Sequence, residues 1–366
     1  MLTKTYGNIT GTSKKVTKVY DGTTSTSSST FGNVAVTSAN GLSNNINVAL
    51  SNKTYTYGSK DSGNSNVVRA DSAYTITSAS HSRHGNVYGL AASSTAKTIS
   101  NAQISQKPIS LTGTRNYDGT TIVSSKDLTV GNFVGKETLT LSGTGSLSSA
   151  NTQSNSSLAS TARLSLANGS NGGLASNYSI SAGQTTTANI TAKALTVSGI
   201  ISSNKTYDSN TTATLDISSL SYSGLVPGDD FSGTYSGVFD NKNVGTSKTV
   251  TITTSYSGAD VGNYNVTGQS NTTADITIKV LTATASASNK VYNATNTGAT
   301  TLSLSGLIGL ETLNVTNTST FNNKNVGAGK TVTVNSITLA DGSNGGLASN
   351  YTISSGQTTT ANITAK

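Results

Sequence analysis

The two histidines of the chain, His81 and His84, stand three positions apart in a Ser-rich stretch. Imidazoles at that spacing share a metal from one face of a helix and need further Cys, Asp or Glu donors. No such donor lies nearby and the context reads as loop or strand, so no metal site is expected there. Asp229, Asp230 and Asp240 form the densest acidic group, after Leu225-Val226-Pro227-Gly228. Calcium takes about six to eight oxygens, in the familiar case from a loop closed by Glu. That loop is missing, and the segment reads as an ordinary turn. Serine is abundant, but no Gly-x-Ser-x-Gly elbow occurs and the clustered histidines give a hydrolase triad little support. Neither a phosphate-cradling glycine loop nor a dinucleotide fingerprint is present. The chain therefore reads as non-enzymatic, with no catalytic residue, cofactor or metal. Shallow recognition is the remaining chemistry: Tyr55, Tyr57, His81 and His84 are candidate ligand contacts, provided that the fold brings them together.

Bulk properties point the same way. The net charge of +8 comes from 23 basic and 15 acidic residues spread along 366 positions. A nucleic-acid groove concentrates cations and interleaves stacking aromatics, and only Lys14, Lys15 and Lys18 cluster, so no nucleic-acid partner is expected. Cysteine is absent, which leaves stability to sheet packing. No apolar run approaches the roughly 18 residues that a membrane span needs, and no signal peptide follows Met1. These features read as an internal segment of a larger protein, with no membrane insertion.

The elements that would position any site come in repeats. Lys18-Val19-Tyr20-Asp21-Gly22, Arg115-Asn116-Tyr117-Asp118-Gly119, Lys205-Thr206-Tyr207-Asp208-Ser209 and Lys290-Val291-Tyr292-Asn293-Ala294 correspond, with tyrosine spacings of 97, 90 and 85 residues. That period is the size of a small domain. Phe239-Asp240-Asn241-Lys242-Asn243-Val244-Gly245 matches Phe321-Asn322-Asn323-Lys324-Asn325-Val326-Gly327, and Asn-Tyr recurs at Asn177-Tyr178, Asn263-Tyr264 and Asn350-Tyr351. The landmarks divide the chain into a tail of a preceding unit (1–13), a divergent module (14–104) and three similar modules at 105–192, 193–278 and 279–366, here called modules one to four. The closing strands run almost directly into the next module, so linkers must be short.

Within modules, apolar residues alternate with Ser or Thr at period two, as in Thr249-Val250-Thr251-Ile252-Thr253, which places one set in a core and the other toward solvent. The expected fold is all-β: tandem small antiparallel β-sandwich modules in an elongated array, with β-grasp-like modules as the alternative. Tyr20, Tyr117, Tyr207 and Tyr292 are expected to cover a core edge, hydroxyl within reach of a partner. Asp21, Asp118, Asp208 and Asn293 are expected to cap their own turns. Ser209 and Ala294, standing where Gly22 and Gly119 stand, imply that left-handed backbone freedom is not essential there.

The ordered set of Tyr-Asp-Gly, Asn-Lys-Asn-Val-Gly and Asn-Tyr landmarks resembles the YDG-type repeats, with related MBG-type modules, of large bacterial adhesins of the filamentous haemagglutinin and autotransporter kind. Module one departs most, lacking a clear Asn-Lys-Asn-Val-Gly match. The resemblance implies an extracellular or cell-surface location and a stalk that displays a binding region, alongside further repeats of the same polypeptide. A second reading has the modules bind a host or neighbouring-cell glycan or protein directly, with module one favoured. A third has strand edges pair laterally into fibres. Asn-x-Ser/Thr triplets such as Asn189 and Asn362 are too frequent by chance to signal glycosylation.

Overall fold

Period-two alternation across Ser/Thr-rich segments yields strands joined by Gly, Asn and Asp turns. The computed structural model describes residues 9–10, 17–25, 35–36, 46–51, 55–70, 75–81, 85–86, 98–181 and 186–366. Among these the only helical elements are short 3-10 turns, so the chain is all-β. It separates into two compact units, Met1–Ala192 and Lys193–Lys366.

In the second unit, modules three and four repeat one topology. Strand Lys193–Ser198 lies between Ser221–Ser223 and Tyr264–Thr267, and Lys279–Ala287 lies between Thr300–Ser305 and Tyr351–Ile353. Each module adds a five-stranded sheet. In module three its order is Lys205–Thr206, Asn271–Thr277, Gly245–Ser257, Ser232–Phe239, Thr212–Ala213. The ladder from Ser232↔Ser257 to Phe239↔Val250 buries Val250 and Ile252 and leaves the intervening threonines outside, as the alternation predicts. Module four does the same with Val332 and Val334.

Pairing differs from the expected antiparallel pattern at the seams. The opening strand runs parallel to a late one, with Lys193↔Tyr264 and Lys279↔Tyr351 in register. The Tyr-Asp segment also runs parallel to the closing strand, as in Lys205↔Ile276 and Lys290↔Ile363. Parallel neighbours require a long crossover, and here the crossover is the body of the module. The first unit shares this seam: Ser110–Asn116 is parallel to Thr186–Thr191, and in the divergent module one Thr17–Val19 is parallel to Thr98–Ser105.

One buried cluster crosses the boundary between modules three and four. Tyr207, Phe239, Val250 and Ile276 of module three pack with Leu281 and Tyr351 of module four, and Val244, Ile308 and Ile353 fill around them. Phe321, Val332, Ala361 and Ile363 make a smaller core within module four.

Candidate functional site

Each Tyr-Asp turn is closed by its own cation. In module three the Lys205 ammonium donates to Asp208 Oδ1 at 2.8 Å and to the carbonyls of Asn210 and Thr212 at 2.8 and 3.0 Å. Asp208 Oδ1 also accepts from the Asn210 amide at 3.1 Å. Lys18 with Asp21 and Arg115 with Asp118 repeat the arrangement at 2.8 and 2.7 Å. In module four Asn293 replaces the acid and accepts from the Thr295 amide at 3.1 Å, while Lys290 donates to the Thr295 and Thr297 carbonyls. The lysine ammonium groups lie over an aromatic ring: Lys18 over Tyr57, Lys205 over Phe239 and Lys290 over Phe321, at 5.0, 5.3 and 5.5 Å from the ring centroid. Burial pushes the three aspartates up, but the hydrogen bonds from cation and backbone outweigh it and hold Asp21, Asp118 and Asp208 below the ordinary carboxylate value.

The turn imposes a left-handed residue after the Asp or Asn: φ is +75° at Gly22, +78° at Gly119, +66° at Ser209 and +66° at Ala294. This corrects the inference drawn from Ser209 and Ala294. The left-handed conformation is kept in all four modules, and those two side chains tolerate it at a cost of about 1 kcal/mol. Glycine is needed at Gly22 for a second reason, since a Cβ there would stand 2.6 Å from Val134 Cγ1 of module two.

In module three the turn presents its tyrosine to a socket on module four. Tyr207, 1% exposed, donates from its hydroxyl to Glu311 Oε1 at 2.8 Å, and Tyr351 donates to Glu311 Oε2 at 2.7 Å. The two rings meet edge to face at 5.3 Å. Ser209 and Lys242 also donate to Glu311 Oε1, at 2.9 and 3.2 Å. The Ile308 amide donates to the Tyr351 hydroxyl at 3.1 Å, which fixes the loop carrying Glu311. Beside it, Asn350 accepts from the Val244 amide at 2.9 Å and donates to Asn243 Oδ1 at 3.1 Å. Glu311 is 6% exposed, so a lone carboxylate would be costly there. Burial pushes it up, yet bonds from Tyr351, Tyr207, Ser209 and Lys242 prevail and hold it below its ordinary value. Tyr351 is pushed up to about 12 by burial and by Glu311.

The first unit builds the same joint between modules one and two. Tyr20 and Tyr178 donate to the two oxygens of Glu137 at 2.7 and 2.6 Å, with rings 5.5 Å apart edge to face. The Val134 amide donates to the Tyr178 hydroxyl at 3.0 Å. Asn177 accepts from the Ser62 amide at 2.7 Å and donates to Asp61 at 2.9 Å. Burial and Glu137 raise Tyr20 and Tyr178 to about 12. Lys60-Asp61-Ser62 thus occupies the place of Lys242-Asn243-Val244, a correspondence invisible in the letters of module one. Module three carries its own socket, in which Tyr264 donates to Asp229 and accepts from the Val226 amide at 2.9 Å.

Of the four candidate ligand contacts, Tyr57 is 3% exposed and forms part of the core, in the position of Phe239 and Phe321. Tyr55 and His81 fall on strands Tyr55–Tyr57 and Thr75–His81, with side chains outside the described residues. His84 also lies outside them. The acidic group disperses: Asp229 serves Tyr264, Asp230 accepts from the Ala259 amide at 3.0 Å, and Asp240 pairs with Lys248 at 2.8 Å. Tyr117 is buried like Tyr20 and Tyr207, whereas Tyr292 is half-buried.

Sequence reasoning passed over the acids at the joints. Glu137 and Glu311 are the only glutamates in the chain, and each precedes its Asn-Tyr by about forty residues. That rarity and repeated position was the available signal.

A family model described as YDG domain matches residues 95–188, 191–274 and 277–361. No curated protein gives a significant match to the chain.

Proposed function

The chain belongs to the YDG domain family, and from that premise we propose that it is a non-enzymatic spacer segment of a bacterial surface or secreted adhesin. Its modules hold a binding region away from the cell and do not themselves bind. The observation that carries this reading is the buried cluster shared by modules three and four and stitched by Glu311. A core continuous across a module boundary resists swinging and separation, which a spacer needs and an isolated recognition domain does not. Tyr57, sequestered beneath Lys18, is unavailable to a ligand, which weighs against direct recognition by module one.

The test pairs two measurements on the purified chain: a glycan and matrix-protein binding panel, and single-molecule extension. The spacer reading predicts no saturable binding, and adjacent modules that yield together. Saturable binding abolished by substituting Tyr55 and His81 in a folded chain would replace it with direct adhesion.

A further inference from the structure

Module four carries a second copy of the surface that module three inserts into its neighbour. The backbone is the same: the Tyr292 amide donates to the Thr364 carbonyl at 2.9 Å, as the Tyr207 amide does to Thr277 at 2.9 Å. Ala294 and Ser209 share φ of +66°. The adjoining turn is also preset, because the Asn325 amide donates to Asn323 Oδ1 at 3.1 Å as Asn243 does to Asn241 at 3.0 Å. Lys330 donates to Asn323 as Lys248 does to Asn241.

The turn differs at Asn293 and Ala294, which stand for Asp208 and Ser209, and so does the burial. Tyr207 and Val244 are packed into the shared cluster, whereas Tyr292 is half-buried and Val326 is 53% exposed. Among the described residues the Tyr292 hydroxyl has no hydrogen-bond partner and Lys324, which stands where Lys242 reaches Glu311, has no ion pair. A tyrosine hydroxyl, an ammonium, a backbone amide and an apolar side chain are therefore set as they are where Tyr207, Lys242 and Val244 grip Glu311 and the Asn350-Tyr351 pair, and the hydroxyl and the amide recur at the Glu137 joint.

We propose that Tyr292, Lys324, Asn325 and Val326 form an open half-joint whose partner is another module of this kind, presenting a glutamate or aspartate beside an Asn-Tyr. The carboxylate takes the Tyr292 hydroxyl and the Lys324 ammonium, and the Asn side chain takes the Val326 amide. Because the half is preformed, docking needs little reordering of the backbone. The proposal rests on the joint geometry and stands whether or not the chain is part of an adhesin.

The experiment fuses a second copy of residues 280–366 directly after Lys366, which stands where Lys279 stands between modules three and four. The added copy carries Tyr292→Phe, so one Tyr292 remains. Exposed tyrosines are nitrated with tetranitromethane and read by mass spectrometry on the parent chain, the extended chain, and the extended chain with Glu311→Ala in the added copy. Nitration of Tyr292 should fall about tenfold on extension and return with the Glu311→Ala copy, the signature of protection by a docked element. Equal nitration in all three overturns the proposal, and so does an added copy that circular dichroism shows unfolded, since its socket is the one that Tyr207 fills. Protection of Tyr292 in the parent chain that grows with concentration, with sedimentation showing a dimer, would replace the tandem partner by a second copy of this chain.

Discussion

The joints centred on Glu137 and Glu311 share a skeleton and differ in how the carboxylate is surrounded. Both glutamates receive two tyrosine hydroxyls, one from each module, and both joints use an Asn side chain to hold a backbone amide of the preceding module. Around Glu311 the preceding module adds Ser209 and Lys242. Around Glu137 the matching positions are Gly22, pressed against Val134, and Lys60, whose ammonium lies 5.9 Å from the Tyr20 ring centroid. Glu137 is half-buried where Glu311 is buried. The tyrosine–carboxylate–tyrosine bridge is thus the constant part, and the residue after the Asp is chosen by the surface it meets.

Alkaline pH should break both joints and gives the largest expected effect. Tyr20, Tyr178 and Tyr351 have folded values near 12 against an ordinary 10.0, as does Tyr264 beside Asp229. Their contribution is complete below about pH 10 and is lost as pH rises toward 12, so urea midpoints should fall steeply over that interval. At the acid end Glu311, held below its ordinary 4.5, contributes fully above that value and loses its contribution as pH falls below it.

Glu311→Ala should cost about 2–4 kcal/mol, because it strands buried donors from both modules. Glu137→Ala should cost about 1–2 kcal/mol, since the half-buried Glu137 holds two donors where Glu311 holds four. Amide exchange resolved by module separates the two. Exchanging the residues after the Asp sharpens the contrast. Gly22→Ser should destabilise the first joint by about 2 kcal/mol through overlap with Val134 and the left-handed backbone. Ser209→Gly should change the second by less than about 1 kcal/mol, the lost bond to Glu311 offset by relief of φ. The smallest contrast concerns the tyrosines: Tyr207→Phe should cost about 1 kcal/mol, and Tyr292→Phe less than about 0.5 kcal/mol in thermal unfolding.

Much of this fold was legible in the residues. Alternation around Val250 and Val332 gave the strands and their buried faces, and the Asp and Asn turn caps were foreseeable because a short carboxyl or amide side chain closes on the amide two residues ahead. The parallel seams were not. Period two is the same for either strand direction, and Lys193↔Tyr264 pairs residues about seventy positions apart. The joints were hidden for a related reason: Tyr207 and Glu311 are separated by 104 positions and belong to different modules. Tyr57 looked like a surface aromatic because module one lacks the Phe-Asp-Asn-Lys-Asn landmark, yet the lysine over its ring marks it as the counterpart of Phe239.

Native-state amide exchange on the chain and on Glu311→Ala tests most directly whether these joints weld modules together. The core strands Gly245–Ser257 and Gly327–Asp341 should share one opening free energy in the unaltered chain and separate into two in the variant. Two distinct opening energies in the unaltered chain, unmoved by Glu311→Ala, would contradict the account.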